Sequence, residues 1–194
     1  MDNGRIVYPR SRKQLEEIAA NVRANLGLSA GGRVSMQPLL EETLYDVLDD
    51  YGFQVRRDKE MGHMDGLTDD RKPIIYLKES VYHRLERGEG SARMIAAHEF
   101  GHLVLHCGMP TFRAFSEEYQ PLYDPERQAN IFAAAFLMPE TSFRKCVTVR
   151  EVMRRFGVSQ DAAMYRARIL KHKFEQSRPI LTVKKKGTSK RQSP

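Results

Sequence analysis

Three of the chain's six histidines, His98, His102 and His106, fall within the short run "HEFGHLVLH", and Glu99 directly follows the first. Residues four apart on a helix differ by only about 40° in direction and about 6 Å along the axis. His98 and His102 would therefore project from one face, where two imidazole nitrogens can meet one Zn²⁺ at about 2.0–2.1 Å. Glu99 would sit about 100° further around the same helix. Its carboxylate could flank a metal without binding it, which suits a general base acting on metal-bound water. A bare H-E-x-x-H also arises by chance, so context decides. Here Met94, Ile95, Leu103 and Leu105 supply apolar anchors around the motif. Gly101 inside it weakens a helix by up to about 1 kcal/mol, a penalty explained if another backbone or side chain must approach closely.

A catalytic zinc usually takes three protein ligands and keeps one position open. His106 lies about 12 Å along the axis from His98, too far for one ion on an unbroken helix. It is therefore read as structural or as a support for the ligands. Glu126, near the start of "DPERQANIFAAAFLMP", is the candidate third ligand, because a carboxylate on a following helix gives a His₂Glu set. Taken alone, an acid there equally suits a helix N-terminus. Glu117 and Glu118 are the alternatives, in a stretch without clear pattern. Asn130 lies one turn after Glu126 and is placed to orient a ligand.

The elements that must position these groups follow from periodicity and punctuation. Helices are expected over residues 13–26 and 39–51, each closed by a glycine, Gly27 and Gly52. "FQVRR", residues 64–68 and residues 74–77 read as strands of a small antiparallel sheet. A helix capped by Ser91 is expected to run to His106. The next is capped by Asp124, has Pro125 at its first position and ends at Pro139. Thr148 and Glu151 form a capping box, Gly157 a turn, and Ser159 a cap for a last helix to Lys173. The expected class is α+β: mainly helical, with a three-stranded antiparallel sheet, a C-terminal helical hairpin and a flexible basic tail. The expected units are residues 1–37, 38–145, 146–175 and 176–194.

The chain has 194 residues, is 41% hydrophobic and 29% charged, and carries a net charge of +7. That charge lies entirely beyond residue 170, so the body is neutral and gives no electrostatic case for gripping nucleic acid. Lys184, Lys185 and Lys186 in the tail, with Arg166 and Arg168 on an outward hairpin face, are the candidate contacts to nucleic acid or a partner. No apolar run approaches the roughly 18–20 residues of a membrane span, and the N-terminus lacks a signal-peptide core. Cys107 and Cys146 are read as buried thiols in a reducing compartment. A cytoplasmic protein is expected.

"HEFGHLVLH" followed by "ERQANIFAAAFLMP" resembles the ImmA/IrrE metallopeptidases. Their pattern is H-E-x-G-H-x-x-x-H, then E-x-x-A-N-x-F-A-A-x-L-L-M-P. Phe136 is the departure, standing where the first leucine of the ending belongs. The likeness covers roughly residues 38–140 and weakens to about 172. It implies a gluzincin-like fold, one Zn²⁺ held by His98, His102 and Glu126, and Glu99 as base. It also implies a separate XRE-type helix-turn-helix repressor as substrate, cut to release stress-response or mobile-element genes. Tyr123, Tyr119 and His106 are candidates to stabilise the oxyanion. By analogy of fold, a strand edge near residues 74–77 would hold the substrate extended. Two rivals stand beside this. Residues 148–172 resemble a helix-turn-helix, which would make the chain a DNA-binding regulator with a structural zinc. The hairpin could instead pack on the body through Val152, Met153, Phe156, Met164 and Leu170. A third reading is an inactive relative that binds a repressor without cutting it. Glu99 discriminates, since a structural zinc has no use for an acid beside its ligands.

Overall fold

A computed structural model of the chain describes residues 5–29, 31–113 and 121–175. The basic tail with Lys184, Lys185 and Lys186, and also Glu117, Glu118 and Tyr119, lie outside the described residues. The order begins with β1 (Arg5–Ile6) and α1 (Arg12–Asn25). A short α2 (Met36–Pro38), a π-helical turn (Leu39–Thr43) and α3 (Leu44–Val47) take the place of the single helix expected over 39–51. Then come β2 (Gly52–Arg56), α4 (Asp58–Met61), β3 (Gly66–Thr68), β4 (Ile74–Lys78) and α5 (Glu79–Glu86). The long α6 (Gly90–His106) is followed by β5 (Phe112–Arg113), which pairs antiparallel with β1. The chain continues through a 3₁₀ turn (Pro121–Tyr123), α7 (Pro125–Leu137), α8 (Glu140–Phe143), α9 (Val149–Phe156) and α10 (Gln160–Leu170).

The class is α+β and mainly helical, as expected, but the sheet is mixed rather than antiparallel. Its order is β2-β4-β3. β4 runs antiparallel to β3, with Gly66 opposite Leu77, and parallel to β2, with Gly52 opposite Ile74. The reason is connection length. β3 and β4 are joined by a short turn in which Asp69 Oδ1 accepts the N–H groups of Arg71 (2.8 Å) and Lys72 (3.1 Å). β2 and β4 are joined by a crossover through α4 and β3, and only a crossover allows parallel pairing. Alternating residues report a strand but not its direction. β4 is therefore the central strand, with Ile75 and Leu77 buried, and offers no free edge at residues 74–77. The edge on the α6 side is β3.

α6 begins at Gly90, with Glu89 rather than Ser91 as its cap; Ser91 Oγ instead receives the Arg84 guanidinium at 2.5 Å. The helix is buried around much of its circumference by Ala92, Ala96, Ala97, Phe100, Leu103 and Leu105. It packs along α7, and α7 packs along α1. Gly101 lies at that α6–α7 contact: a Cβ there would stand 3.1 Å from the Ala129 carbonyl oxygen and 3.1 Å from Phe132 Cδ1. The expected close approach is therefore a backbone approach.

The C-terminal hairpin α9–α10 packs on the body through Val152, Phe156, Ala163 and Leu170, while Met164 is exposed and Met153 half-buried. Arg166 does not point outward. It is 0% exposed, donates from Nη2 to Glu16 Oε2 (2.6 Å), pairs again through Nη1, and donates from Nε to the Met138 carbonyl (2.9 Å). Arg168 remains at the surface. No helix among the described residues is long and apolar enough to cross a membrane.

Two consequences are measurable by urea denaturation. Glu16→Ala strands a buried guanidinium and lowers the unfolding free energy by about 3–5 kcal/mol, where an outward Arg166 would give nearly no change. Gly101→Val overpacks the α6–α7 contact and costs about 1–3 kcal/mol.

Candidate metal centre

α6 presents His98 and His102 on one face, as the four-residue spacing demands. The first turn of α7 supplies the third group. Asp124 caps that helix by accepting the Glu126 N–H (2.9 Å), and Pro125 fits the first position because its missing N–H is not needed there. Three side chains then converge. His98 Nε2 and His102 Nε2 are 3.0 Å apart. Glu126 Oε2 lies 3.1 Å from the first, and Glu126 Oε1 3.2 Å from the second. A tetrahedral ion with bonds of about 2.0–2.1 Å would separate its ligand atoms by about 3.3–3.4 Å. Two imidazoles and a carboxylate at this spacing fit one zinc ion, and the set suits zinc among the divalent metals. Asn130, one turn along α7, places Oδ1 3.1 Å from His98 Nδ1. That contact turns the other ring nitrogen, Nε2, toward the centre of the triad.

Glu99 is not part of the triangle. It is buried and lines the same cleft of about 280 Å³ as His98, His102 and Glu126. The Thr68 hydroxyl donates to Glu99 Oε2 (2.8 Å), with the Glu99 carbonyl also within 2.9 Å. Gly66 faces the same carboxyl group: a Cβ at that position would meet Glu99 Cγ at 2.6 Å. β3 thus sets the carboxylate's position from both sides.

The metal-free electrostatics follow from this packing. Burial raises the Glu99 pKa, against the pull of the His98 and His102 charges. Glu126 is held far below the usual carboxylate range by hydrogen bonds from His102 and His98. Burial pushes His98 down, but Glu126 and Glu99 outweigh it and the net shift is upward. His106 is buried and lowered to about 4, by desolvation first and by the neighbouring His102 second.

His106 stands outside the triangle. Its Nδ1 lies 3.2 Å from His102 Nδ1, and its Nε2 lies 3.3 Å from Gln128 Oε1. Tyr123 is half-buried in the turn before α7 and is not among the residues lining the cleft. Sequence reasoning missed Gln128, Thr68 and Gly66. Gln128 carried a faint signal, a polar residue leading into an apolar helical run. Thr68 and Gly66 carried none, because nothing local says that β3 returns to α6.

His106 yields a stability prediction with a definite sign. Its folded pKa is depressed, so the folded state binds fewer protons than the unfolded one between about pH 4 and 6.5. Its contribution is complete above about pH 6.5 and is lost as pH falls toward 4, by on the order of 3 kcal/mol. Urea denaturation of the metal-free protein across this range should show that acid slope, and His106→Asn should flatten it.

Comparison with known proteins bears on the fold and the family. No curated protein matches the chain. Among solved structures, a "Mycobacterium tuberculosis transcriptional regulator" is similar in fold, with a TM-score of 0.51 and 17% sequence identity. The match covers 78% of this chain and 46% of that one, so the chain spans less than half the length of that protein. The model of the Peptidase_M78 family, described as an IrrE N-terminal-like domain, matches residues 49–168, from the start of the sheet to the last helix. That span is more than half of the chain and contains His98, Glu99, His102 and Glu126, and the chain therefore belongs to the Peptidase_M78 family.

Proposed function

We propose that the protein is a zinc-dependent endopeptidase, with His98, His102 and Glu126 holding one Zn²⁺ and Glu99 as general base. The observation that carries this reading is the separation of the four groups. Three side chains, His98, His102 and Glu126, converge as a possible ligand set, while Glu99, buried in the same cleft, is held by Thr68 outside that set. A structural zinc would be closed by a fourth protein ligand.

Zinc bound there supplies Lewis acidity, lowering the pKa of water toward about 7 and polarising a carbonyl. The chain's own residues do the rest. Glu99 takes the proton of the attacking water at its carboxylate and later delivers it to the leaving amine. In the metal-free chain, burial raises its pKa. Thr68 keeps the carboxylate in place. Asn130 orients His98. The edge strand β3, not the central β4, borders the cleft through Gly66, Leu67 and Thr68, and could pair with an extended substrate by main-chain hydrogen bonds.

The substrate we propose is a separate XRE-type repressor, whose cleavage releases stress-response or mobile-element genes. Membership in a peptidase family and the fold shared with a transcriptional regulator support this. The burial of Arg166 removes one of the two hairpin arginines on which a DNA-binding alternative relied.

The test is metal analysis together with cleavage of co-encoded XRE-type repressors. Wild type should hold one zinc and cut. Glu99→Gln should keep the metal and lose cleavage by at least about 10²-fold. Glu126→Gln should lose the metal. Unchanged cleavage by Glu99→Gln, or no zinc bound when zinc is supplied, overturns the reading.

A further inference from the structure

Gln128 is fully buried on α7, two residues after Glu126, and the proposed mechanism leaves it unused. Its amide can be oriented in only one way. Nε2 lies 2.8 Å from the Tyr8 carbonyl and 2.7 Å from the Leu122 carbonyl, and both can only accept. Oε1 lies 3.0 Å from Arg10 Nη1, which can only donate. Exchanging the two ends would set oxygen against two carbonyls and NH₂ against a guanidinium. Oε1 is therefore an acceptor, and the group it faces at 3.3 Å, His106 Nε2, must carry the proton.

A neutral imidazole with its proton on Nε2 has a bare Nδ1. That nitrogen is 3.2 Å from His102 Nδ1, and a hydrogen bond between two ring nitrogens needs one proton between them. Since His106 accepts, His102 must donate from Nδ1. Its remaining nitrogen, Nε2, is the one that faces His98 and Glu126.

We infer that Gln128 is a positioning residue that fixes the tautomer of His106, so that His106 accepts from His102 Nδ1–H and His102 keeps Nε2 for the metal. Asn130 does the same for His98 in one step, but among the described residues no second hydrogen bond pins its amide. Gln128 acts in two steps, and its orientation is set by the N-terminal segment and the turn before α7. The segment is itself tied to that turn by Val7 N–H to Tyr123 O (3.0 Å) and Arg10 N–H to Leu122 O (3.2 Å). For its consequence on binding, the inference rests on the metal reading above; the proton positions do not.

Long-range ¹H–¹⁵N spectra of the histidine rings in the metal-free full chain test it directly at neutral pH. The expected result is His106 protonated at Nε2 and bare at Nδ1. A proton on Nδ1 overturns the inference. Zinc alone, titrated against a chelator, gives the second readout. Gln128→Leu should lose the His106 tautomer preference and bind zinc at least about tenfold more weakly. His106→Leu should weaken binding similarly. His106→Asn, whose amide oxygen can take the place of Nδ1, should restore affinity to within a few-fold of wild type. A folded Gln128→Leu that keeps both tautomer and affinity also overturns the inference. If the wild type takes up no zinc at all, the metal reading fails, and the His106 tautomer still decides this one.

Discussion

The close approach of α6 and α7 at Gly101 is the constraint on which the rest of the protein depends. Ligand spacing within α6 is local and comes with any helix. The proposed third ligand is not local, and it arrives only because α7 runs against the α6 backbone, with the Ala129 carbonyl 3.1 Å from where a Cβ of residue 101 would be. Phe100, Phe132 and Phe136 then pack edge-on and stacked beside that contact, with centroids 5.2–5.9 Å apart. The same two helices therefore carry the hydrophobic centre and the proposed metal-binding face. Separating them by the width of a side chain would open the core and pull Glu126 off the histidines together.

Around that contact, the polar groups near the centre are satisfied by named partners, most of them from another element. Thr68 on β3 serves Glu99, Asn130 on α7 serves His98, and His106 with Gln128 serves His102. An unpartnered polar group in this environment would cost about 1–3 kcal/mol. The arrangement also sorts the two acids by environment. Glu126 is held ionised by two imidazoles, whereas Glu99, more deeply buried, is pushed toward neutrality.

Buried arginines do a comparable job away from the centre. Arg23 donates to the Phe136 carbonyl (2.6 Å) and to the carbonyls of Ser29 and Gly32. Arg93 reaches the carbonyls of Val34 and Phe156, and Arg166 joins Glu16 to Met138. Each links residues far apart in the chain by satisfying backbone acceptors at helix ends and turns, groups that the helices themselves leave unpaired. The hairpin that resembles a helix-turn-helix is bonded to the body in this way through Arg166.

From the amino-acid order alone came the helix bearing His98, Glu99 and His102, the cap and start of α7, the Thr148–Glu151 capping box, the α+β class and a reason for Gly101. All of these rest on interactions within a few residues, or on a glycine whose cost needs a cause. Family membership was legible too, because the two motifs are long and contiguous. Tertiary structure decided the rest. The parallel pairing of β2 with β4 depends on a crossover path, which residue alternation does not encode. The inward turn of Arg166 depends on Glu16, 150 residues away in the chain. Glu126 meets the histidines because α7 runs close against α6. Thr68, Gly66 and Gln128 became visible only once β3 and the N-terminal segment had folded back onto α6 and α7, since the role of each is defined entirely by a partner distant in sequence.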